Sequence, residues 1–406
     1  MRRASSALGI VLAGCVAVGA CDQLTTAPVD VADVFDAPVD GLTSAELAAF
    51  IRGDKEFGRP FAPNTGLGPL FNDVACAACH SGDGRGALRN ALLRIGSAAD
   101  GFLAELGGPQ IQTHAIPGAV PEQLPAGVPV SVRLPPPVFG AGLIEAITDS
   151  AILANVDSFD LDGDGISGRP NFVLPAGFVP ASEPTAGPGL RLGRFGRKAQ
   201  TPVLLQQVVV AYLEDMGITS PFLPGENRGP AGGGGPPIDA VDRVPDPEVT
   251  ESTVQAVTHY VRALAPPAPG ADTERRVEGR RLFAQIQCGK CHIPSFQTGP
   301  SRVAALSNKS VTLYSDLLLH DMGDALADNR PDGQANGREW RSAPLWGLRL
   351  MRRFLNGEAL LLHDGRARSV EEAILLHGGE AIASRNAFAQ LSVAQRAALL
   401  DFVESR

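Results

Sequence analysis

The sequence predicts an all-α protein with long irregular loops, arranged as two domains of similar plan. Only 5% of its 406 residues are aromatic, whereas glycine (46) and proline (33) are abundant, a mixture that indicates helices joined by long ordered loops. Amphipathic runs that open with capping patterns recur along the chain. A segment near residue 70 is also repeated near residue 282, which indicates two related halves.

The internal repeat rests on two short segments and on the way each half ends. Leu70–Cys76 matches Leu282–Cys288 in length and in its apolar positions. Capping-box patterns at Ser252 and Ser392, each with glutamine three residues later, precede the last amphipathic run of each half. A proline-rich break separates the halves. The predicted divisions are a first domain over 45–266 that is enlarged by loops, a linker over 267–270 and a second domain over 271–406.

The N-terminus has the pattern of an export signal. Two arginines precede an apolar stretch that ends at Ala20. Cys15 and Cys21 each follow small residues, as in bacterial lipoprotein signals. We predict a signal over 1–20, lipidation of Cys21 and a tether rich in Pro, Asp and Thr over 21–44. Lipidation of Cys15 and a simple cleaved signal are the alternatives.

Composition and hydropathy set the expected location and partners. The signal predicts a periplasmic or outer-membrane-associated lipoprotein, held to the membrane only by its lipid. No later apolar run reaches the roughly 18–20 residues that a spanning helix needs. The formal net charge is −9 and no basic stripe is present, so a nucleic-acid partner is not expected. A homodimer stays open.

Two cysteine pairs carry the strongest chemical motif. Each pair has the form Cys-x-x-Cys followed directly by histidine, and the residues are Cys76, Cys79 and His80 in the first half and Cys288, Cys291 and His292 in the second. In c-type cytochromes such thiols bond the haem vinyl groups and the imidazole binds the iron. We therefore predict two covalently bound haem c groups, one in each cytochrome-c-like domain. A redox dithiol or a zinc site are the alternatives, although a histidine directly after its cysteine is a poor zinc chelate.

A later histidine lies on a predicted amphipathic helix. Ser369 begins a capping box, so the helix should start at Val370. Its apolar positions continue at spacings of three and four residues to His377, and two glycines follow. A buried imidazole needs a partner, and the iron of the second haem is one. We predict His377 as the sixth ligand opposite His292; a histidine bonded to a backbone carbonyl is the alternative.

The other histidines have weaker assignments. His320 and His363 both follow apolar runs and are expected to line the second haem pocket. His259 is expected to be a packed or surface residue. His114, in a loop rich in proline and glycine, is one option for the sixth ligand of the first haem, which the sequence leaves undecided.

An aspartate-rich loop has part of the calcium-binding pattern. Asp160, Asp162 and Asp164 occupy positions 1, 3 and 5, and the Ile166 carbonyl can serve at position 7. Position 12 is Asn171 instead of glutamate, so the loop is not an EF-hand. The expectation is a solitary calcium site, and a simple turn without an ion is the alternative.

Several segments together point to a known family. They are Gly193–Ala199, Asp215–Gly217, Ser315–Gly323, Glu339–Gly347 and Leu362–Ala373. The combination, which extends over nearly the whole mature chain, resembles the di-haem oxidoreductase family once called thiol oxidoreductase-like. That family is similar to bacterial di-haem cytochrome c peroxidases. The resemblance implies a peroxidatic haem in the N-terminal domain and an electron-entry haem in the C-terminal one.

The resemblance also implies roles for individual residues. The peroxidases place a tryptophan, a glutamine and an acidic residue around the N-terminal haem, and the matching positions here are Arg197, Gln206 and Asp215. Gln206 and Asp215 keep the chemistry, since a carboxylate above iron can move the peroxide proton. Arg197 departs from the pattern, because arginine cannot relay electrons. The resemblance further implies a ligand fourteen residues after His363, which is His377.

The expected function is a haem-dependent oxidoreductase of the peroxidase type. Hydrogen peroxide is the expected oxidant, and the electrons would come from a small donor such as a soluble cytochrome or a cupredoxin. One alternative is a pure electron carrier in which both irons are six-coordinate. Another is an oxidant of proteins or of other organic molecules.

Overall fold

The computed structural model describes residues 34–227 and 238–406. Helices are the main regular elements of this part of the chain, as the sequence predicts. The predicted signal, Cys15, Cys21 and the first part of the tether lie outside the described residues. Among the residues described, no helix combines the length and the apolar character needed to cross a bilayer.

Twelve α-helices occur in the described ranges. They are α1 (Ser44–Phe57), α2 (Cys76–Cys79), α3 (Ala141–Ala146), α4 (Asp149–Leu153), α5 (Leu204–Met216), α6 (Ile238–Val241), α7 (Glu251–Ala263), α8 (Glu274–Gln285), α9 (Leu348–Phe354), α10 (Val370–Leu376), α11 (Ile382–Gln390) and α12 (Val393–Glu404). Short 3₁₀ segments lie at Ser81–Asp83, Leu88–Asn90, Ala98–Leu106, Cys288–Lys290, Ala304–Leu306, Asp324–Leu326 and Gly379–Ala381.

Short strands, which the all-α expectation did not include, join the loops. They are β1 (Leu70–Phe71), β2 (Leu92–Arg94), β3 (Gln110–Ile111), β4 (His114–Ala115), β5 (Ser131–Arg133), β6 (Phe172–Val173), β7 (Arg191–Leu192), β8 (Phe296–Gln297), β9 (Ser310–Val311), β10 (Leu319–Asp321) and β11 (Glu339–Arg341). All pair antiparallel, as β1–β4, β3–β2–β5, β6–β7, β8–β9 and β10–β11. A strand of two or three residues is too short to show an alternating pattern in the sequence.

In the first half, the helix that precedes the Cys-x-x-Cys-His motif packs against a late helix through a glycine. A Cβ added at Gly53 of α1 would lie 2.2 Å from the backbone oxygen of Ala256 and 2.6 Å from the Cβ of Tyr260, both on α7. Only glycine allows so close an approach of two helices. Helix α7 is capped by Thr250, not by Ser252 as predicted.

The second half repeats this crossing. A Cβ added at Gly279 of α8 would lie 2.1 Å from the backbone oxygen of Ala398 and 2.6 Å from the Cβ of Phe402, both on α12. The predicted capping box at Ser392 opens α12, with Gln395 returning a bond to the cap. The glycine, the contacted backbone and the aromatic residue four positions later therefore recur in both halves.

The hydrophobic core does not divide at the predicted linker. The largest cluster of buried residues combines helices α1, α5 and α7 with residues such as Phe296, Leu313 and Trp346 from the second predicted domain. A second cluster joins α8, α10 and α12 and also includes Leu134 from the first. Residues from the two predicted domains thus pack against each other, and the boundary at 267–270 stays a prediction.

Candidate functional site

The second Cys-x-x-Cys-His motif opens onto a cavity of about 240 Å³. Cys288 begins a 3₁₀ turn directly after α8, and Cys288, Cys291 and His292 all line the cavity. The His292 Nδ1 lies 2.9 Å from the backbone oxygen of Tyr314, a bond in which the ring N–H donates. This bond fixes the ring and leaves Nε2 as the nitrogen that can bind a metal.

His377 lines the same cavity, at the end of helix α10. Ser369 caps this helix by accepting a bond from the Glu372 backbone N–H, and the helix starts at Val370 as predicted. The His377 Nδ1 lies 2.6 Å from the Ala373 oxygen, which again leaves Nε2 available. His292 and His377 therefore line one cavity.

Both imidazoles are neutral near pH 7. Burial lowers the pKa of His292 to about 4 and also lowers the pKa of His377. A neutral imidazole with its Nδ1–H held by a carbonyl is the form that ligates iron. The cavity therefore presents two thiols and two ligand-competent imidazoles.

His320 lines this cavity as predicted, but both of its ring nitrogens bond to carboxylates. Its Nε2 lies 2.8 Å from Asp316 Oδ2, and its Nδ1 lies 2.9 Å from Glu380 Oε2 and 3.5 Å from the Cys291 Sγ. Although burial opposes the charge, the Asp316 carboxylate raises the pKa of His320 well above its usual value. A protonated imidazole cannot ligate iron, so this ring orients the surrounding groups instead.

His363 lines the opposite part of the cavity. Its ring stacks on Trp340, with the ring centroids 3.7 Å apart and an interplanar angle of 11°. Burial lowers the pKa of His363 to about 3, so the ring is neutral. The His363 backbone oxygen accepts a bond of 2.9 Å from the Leu134 N–H, which joins this wall to the first half of the chain.

The first motif is more tightly enclosed. Cys76 and Cys79 bound the single turn of α2, and Cys79 is 7% exposed. Burial raises the pKa of the Cys76 thiol to about 12 and raises that of Cys79 as well. Redox dithiols need a lowered thiol pKa, so this environment does not suit that alternative. Burial lowers the pKa of His80 to about 4, which leaves the ring neutral.

Asp215 lies beside the first motif, at the end of α5. Its negative charge raises the pKa of both the Cys76 and the Cys79 thiols. The Gln110 Nε2 donates a bond of 2.6 Å to Asp215 Oδ1. Burial raises the pKa of Asp215 to about 7, which suits a group that exchanges protons near neutral pH.

Gln206 was predicted from the sequence as a site residue, whereas Gln110 was not. Gln206, nine residues before Asp215, accepts a bond of 3.1 Å from the Ala176 backbone N–H. Its catalytic role stays a prediction. Gln110 contacts the carboxylate but was missed, because it comes from a distant strand in a stretch without any motif.

The aspartate-rich loop forms a cluster that differs from the predicted set. Carboxylate oxygens of Asp157, Asp160 and Asp162 lie within 4.8 Å of one another. Asp164 instead pairs with Lys290 at 2.6 Å, and Lys290 also lies 3.2 Å from Asp162. Lys290 stands between the two cysteines of the second motif, so this motif is tied to the acidic loop.

Three further predicted residues have local roles. The backbone N–H of Ile166 donates to Asp164 Oδ1 at 2.9 Å, and the residue also lines the cavity. His259 Nε2 lies 3.0 Å from the Glu46 oxygen, as expected for a packed histidine. His114 is exposed on β4, where it stacks on Phe71 with the ring centroids 5.6 Å apart.

The residues of the second cavity fit a haem. A c-type haem needs two thiols, a neutral imidazole and an apolar enclosure, and a second imidazole can complete the coordination of its iron. The cavity provides all of these. At the first motif the thiol pair and His80 supply the same attachment set, with a buried carboxyl beside it.

This donor set defines a di-haem redox protein. The chain belongs to the family described as "Di-haem oxidoreductase, putative peroxidase", whose model matches residues 20–94 and 122–406. No curated protein matches the chain.

Two solved structures match the chain with low structural similarity. Hydrazine synthase of Kuenenia stuttgartiensis, pressurised with 20 bar xenon, shares 14% identity with a TM-score of 0.40, over 98% of this chain and 100% of that one. A MauG-like protein associated with microbial copper homeostasis shares 14% identity with a TM-score of 0.29, over 64% of this chain and 88% of that one. Neither similarity bears on function.

Proposed function

We propose that the protein reduces hydrogen peroxide at its N-terminal haem, with electrons that enter at its C-terminal haem from a small donor. Asp215 carries this proposal. It is a buried carboxyl beside the first attachment motif, and its pKa is raised to about 7. This pKa is matched to proton transfer near neutral pH, and strongly shifted pKa values of this kind cluster at functional sites.

The chain's own residues would move the peroxide proton. Bound haem supplies the iron and the redox equivalents. Ionised Asp215 would accept a proton from one peroxide oxygen and return it to the departing oxygen, while Gln110 holds the carboxylate in place. With two electrons and two protons, one peroxide yields two waters. Gln206 remains a further predicted participant.

The second cavity suits electron entry. His292 and His377 are neutral and each keeps Nε2 available, so the two imidazoles would hold the iron of the haem attached at the second motif. A six-coordinate iron of this kind exchanges electrons without binding substrate, and bis-histidine ligation gives it a lower potential than methionine ligation would. A soluble cytochrome or a cupredoxin is the proposed donor.

The second candidate function is electron transfer without peroxide turnover. It is favoured by Arg197, which occupies the position where the resemblance expects a tryptophan that relays electrons. The candidates differ at the first haem, which is five-coordinate in the enzyme and six-coordinate in the carrier.

Further features of the protein are proposed with the function. Both haems are bonded covalently through the two cysteine pairs. The protein is exported and anchored by lipid at Cys21, which places it in the periplasm or at the outer membrane. One calcium ion binds at the aspartate-rich loop, where Asp157 joins Asp160 and Asp162.

Three measurements test the proposal. A pyridine haemochrome assay after acid–acetone extraction should still find about two haems per chain, and loss of haem into the extract would exclude covalent attachment. Stopped-flow mixing of peroxide with half-reduced protein should oxidise it, and electron paramagnetic resonance should show one high-spin haem. Two low-spin haems and no reaction with peroxide would exclude the peroxidase and favour the pure electron carrier.

A further inference from the structure

Three arginines converge on the second haem cavity. Arg85 lies five residues after His80, Arg197 precedes α5, and Arg341 is the last residue of β11. All three side chains line the cavity wall. Their charges repel one another, since Arg85 and Arg341 both lower the pKa of Arg197. Positive charge is therefore concentrated in an otherwise apolar enclosure.

Backbone carbonyls, not carboxylates, hold these side chains. Arg85 donates to the Leu362 oxygen, Arg197 Nη2 donates to the Leu134 oxygen at 2.8 Å, and Arg341 Nε donates to the Gly196 oxygen at 3.0 Å. Within residues 34–227 and 238–406, none of the three forms an ion pair. Asp364 attracts Arg85 and Arg197, but its carboxylate pairs with Arg366 at 2.7 Å.

Two other buried arginines of the described residues pair with carboxylates. Arg133 pairs with Asp328 at 3.0 Å and with Asp332 at 2.6 Å, and Arg262 pairs with Glu145 at 2.6 Å. Burying an unpaired charge is costly, so a guanidinium without a carboxylate needs another anion.

Two nitrogen atoms of the cluster lack any partner. Arg85 Nε and Arg341 Nη1 are buried and make no hydrogen bond in the described part of the chain. Such atoms cost free energy unless an acceptor is supplied. A haem carries two propionate carboxylates, and arginine binds carboxylates with paired hydrogen bonds.

We propose that Arg85, Arg197 and Arg341 bind the propionates of the haem attached at Cys288 and Cys291. This inference rests on the proposed haem attachment at the second motif. It also accounts for the departure at position 197: an arginine is required there because the propionates need a cation. Since Arg85 and Arg197 belong to the first predicted domain, the first half would help to bind the haem of the second half.

The test uses the full-length holoprotein with resonance Raman spectroscopy and a spectroelectrochemical titration. Arg341→Gln should retain two haems, shift one propionate bending band to lower frequency and lower the midpoint potential of one haem, because a lost positive charge favours the ferric state. Arg197→Gln should have the same two effects, because it removes a second positive charge from the same cavity. Arg341→Lys should recover the potential in part but not the band, since lysine keeps the charge and loses the paired geometry.

Arg338→Gln is the matched control. It removes one positive charge three residues away, at an exposed side chain that pairs with Asp321, and it should change neither readout. Unchanged bands and potentials in Arg341→Gln and Arg197→Gln, with two haems bound, would overturn the propionate assignment alone. A wild-type protein without haem at Cys288 would overturn the proposed function, and the assignment with it.

Discussion

The two Cys-x-x-Cys-His segments share a helical frame but differ in their surroundings. Each follows a helix that crosses a late helix at a glycine, Gly53 in one and Gly279 in the other. The first motif is enclosed and has the buried Asp215 carboxyl beside it. The second opens onto a cavity lined by His292 and His377. A carboxyl suits proton transfer and a pair of imidazoles suits electron transfer, so under the proposed function one frame would carry two chemistries.

Removing the second imidazole should give the largest effect. His377→Ala should leave two haems bound and convert one of them from low-spin to high-spin, because the iron loses its sixth ligand. Electron paramagnetic resonance of the oxidised protein measures this change. His259→Ala, at a histidine bonded to a backbone carbonyl elsewhere, is the control and should keep the wild-type spectrum. If the low-spin signal persists in His377→Ala, His377 is not an iron ligand. The second motif would then lack the imidazole pair that distinguishes it from the first.

Removing the carboxyl should slow peroxide reduction by about 100-fold or more. In the wild type the rate should rise with pH through about 7, because Asp215 must be ionised to accept a proton and its pKa is raised to about 7. Asp215→Asn should lose this dependence and Asp215→Glu should restore part of it. Stopped-flow rates between pH 5 and 9, on the order of two units either side of that pKa, provide the measurement.

Stability gives a second readout of the same group. A carboxyl whose pKa is raised on folding favours the folded state at low pH, and that contribution is lost as pH rises through about 7. Asp215→Asn should therefore be more stable relative to the wild type at pH 8 than at pH 5.

The kinetic measurement decides the role of Asp215 in the reaction. Equal rates of peroxide reduction in the wild type and Asp215→Asn would remove this residue from the mechanism.

The glycine crossings should be equally sensitive in the two halves. Gly53→Ala and Gly279→Ala should each lower the free energy of unfolding by roughly 1–3 kcal/mol, because a Cβ would overlap the facing helix. Denaturant titration of the holoprotein measures the loss. Gly177→Ala is the control, since its added Cβ would have no atom within 4 Å. A large cost in one half alone would show that the frames are not equivalent.

The smallest expected effect concerns calcium. Chelation should lower the thermal midpoint by a few degrees, as loss of a bound ligand does, and equilibrium dialysis should detect about one ion per chain. Lys290→Gln should strengthen binding, because Lys290 pairs with Asp162 and Asp164. If neither the wild type nor Lys290→Gln binds calcium, the aspartate-rich loop is a simple turn.

Local patterns in the sequence predicted local features well. The capping box at Ser369 and the apolar spacing after it place His377 on the cavity wall, and the resemblance places Asp215 beside the first motif. Features made by distant segments could not be found in this way. Gln110 meets Asp215 across 105 positions of the chain. The arginine cluster joins three segments that lie far apart in the sequence, and the short strands have no detectable period.

Burial of the first thiol pair also bears on biogenesis. Cys79 is 7% exposed and its pKa is raised, so in the folded chain this thiol is both inaccessible and unreactive. Thioether formation requires access to both cysteines. With the proposed covalent attachment, we therefore expect the first haem to be attached before the chain folds around α2.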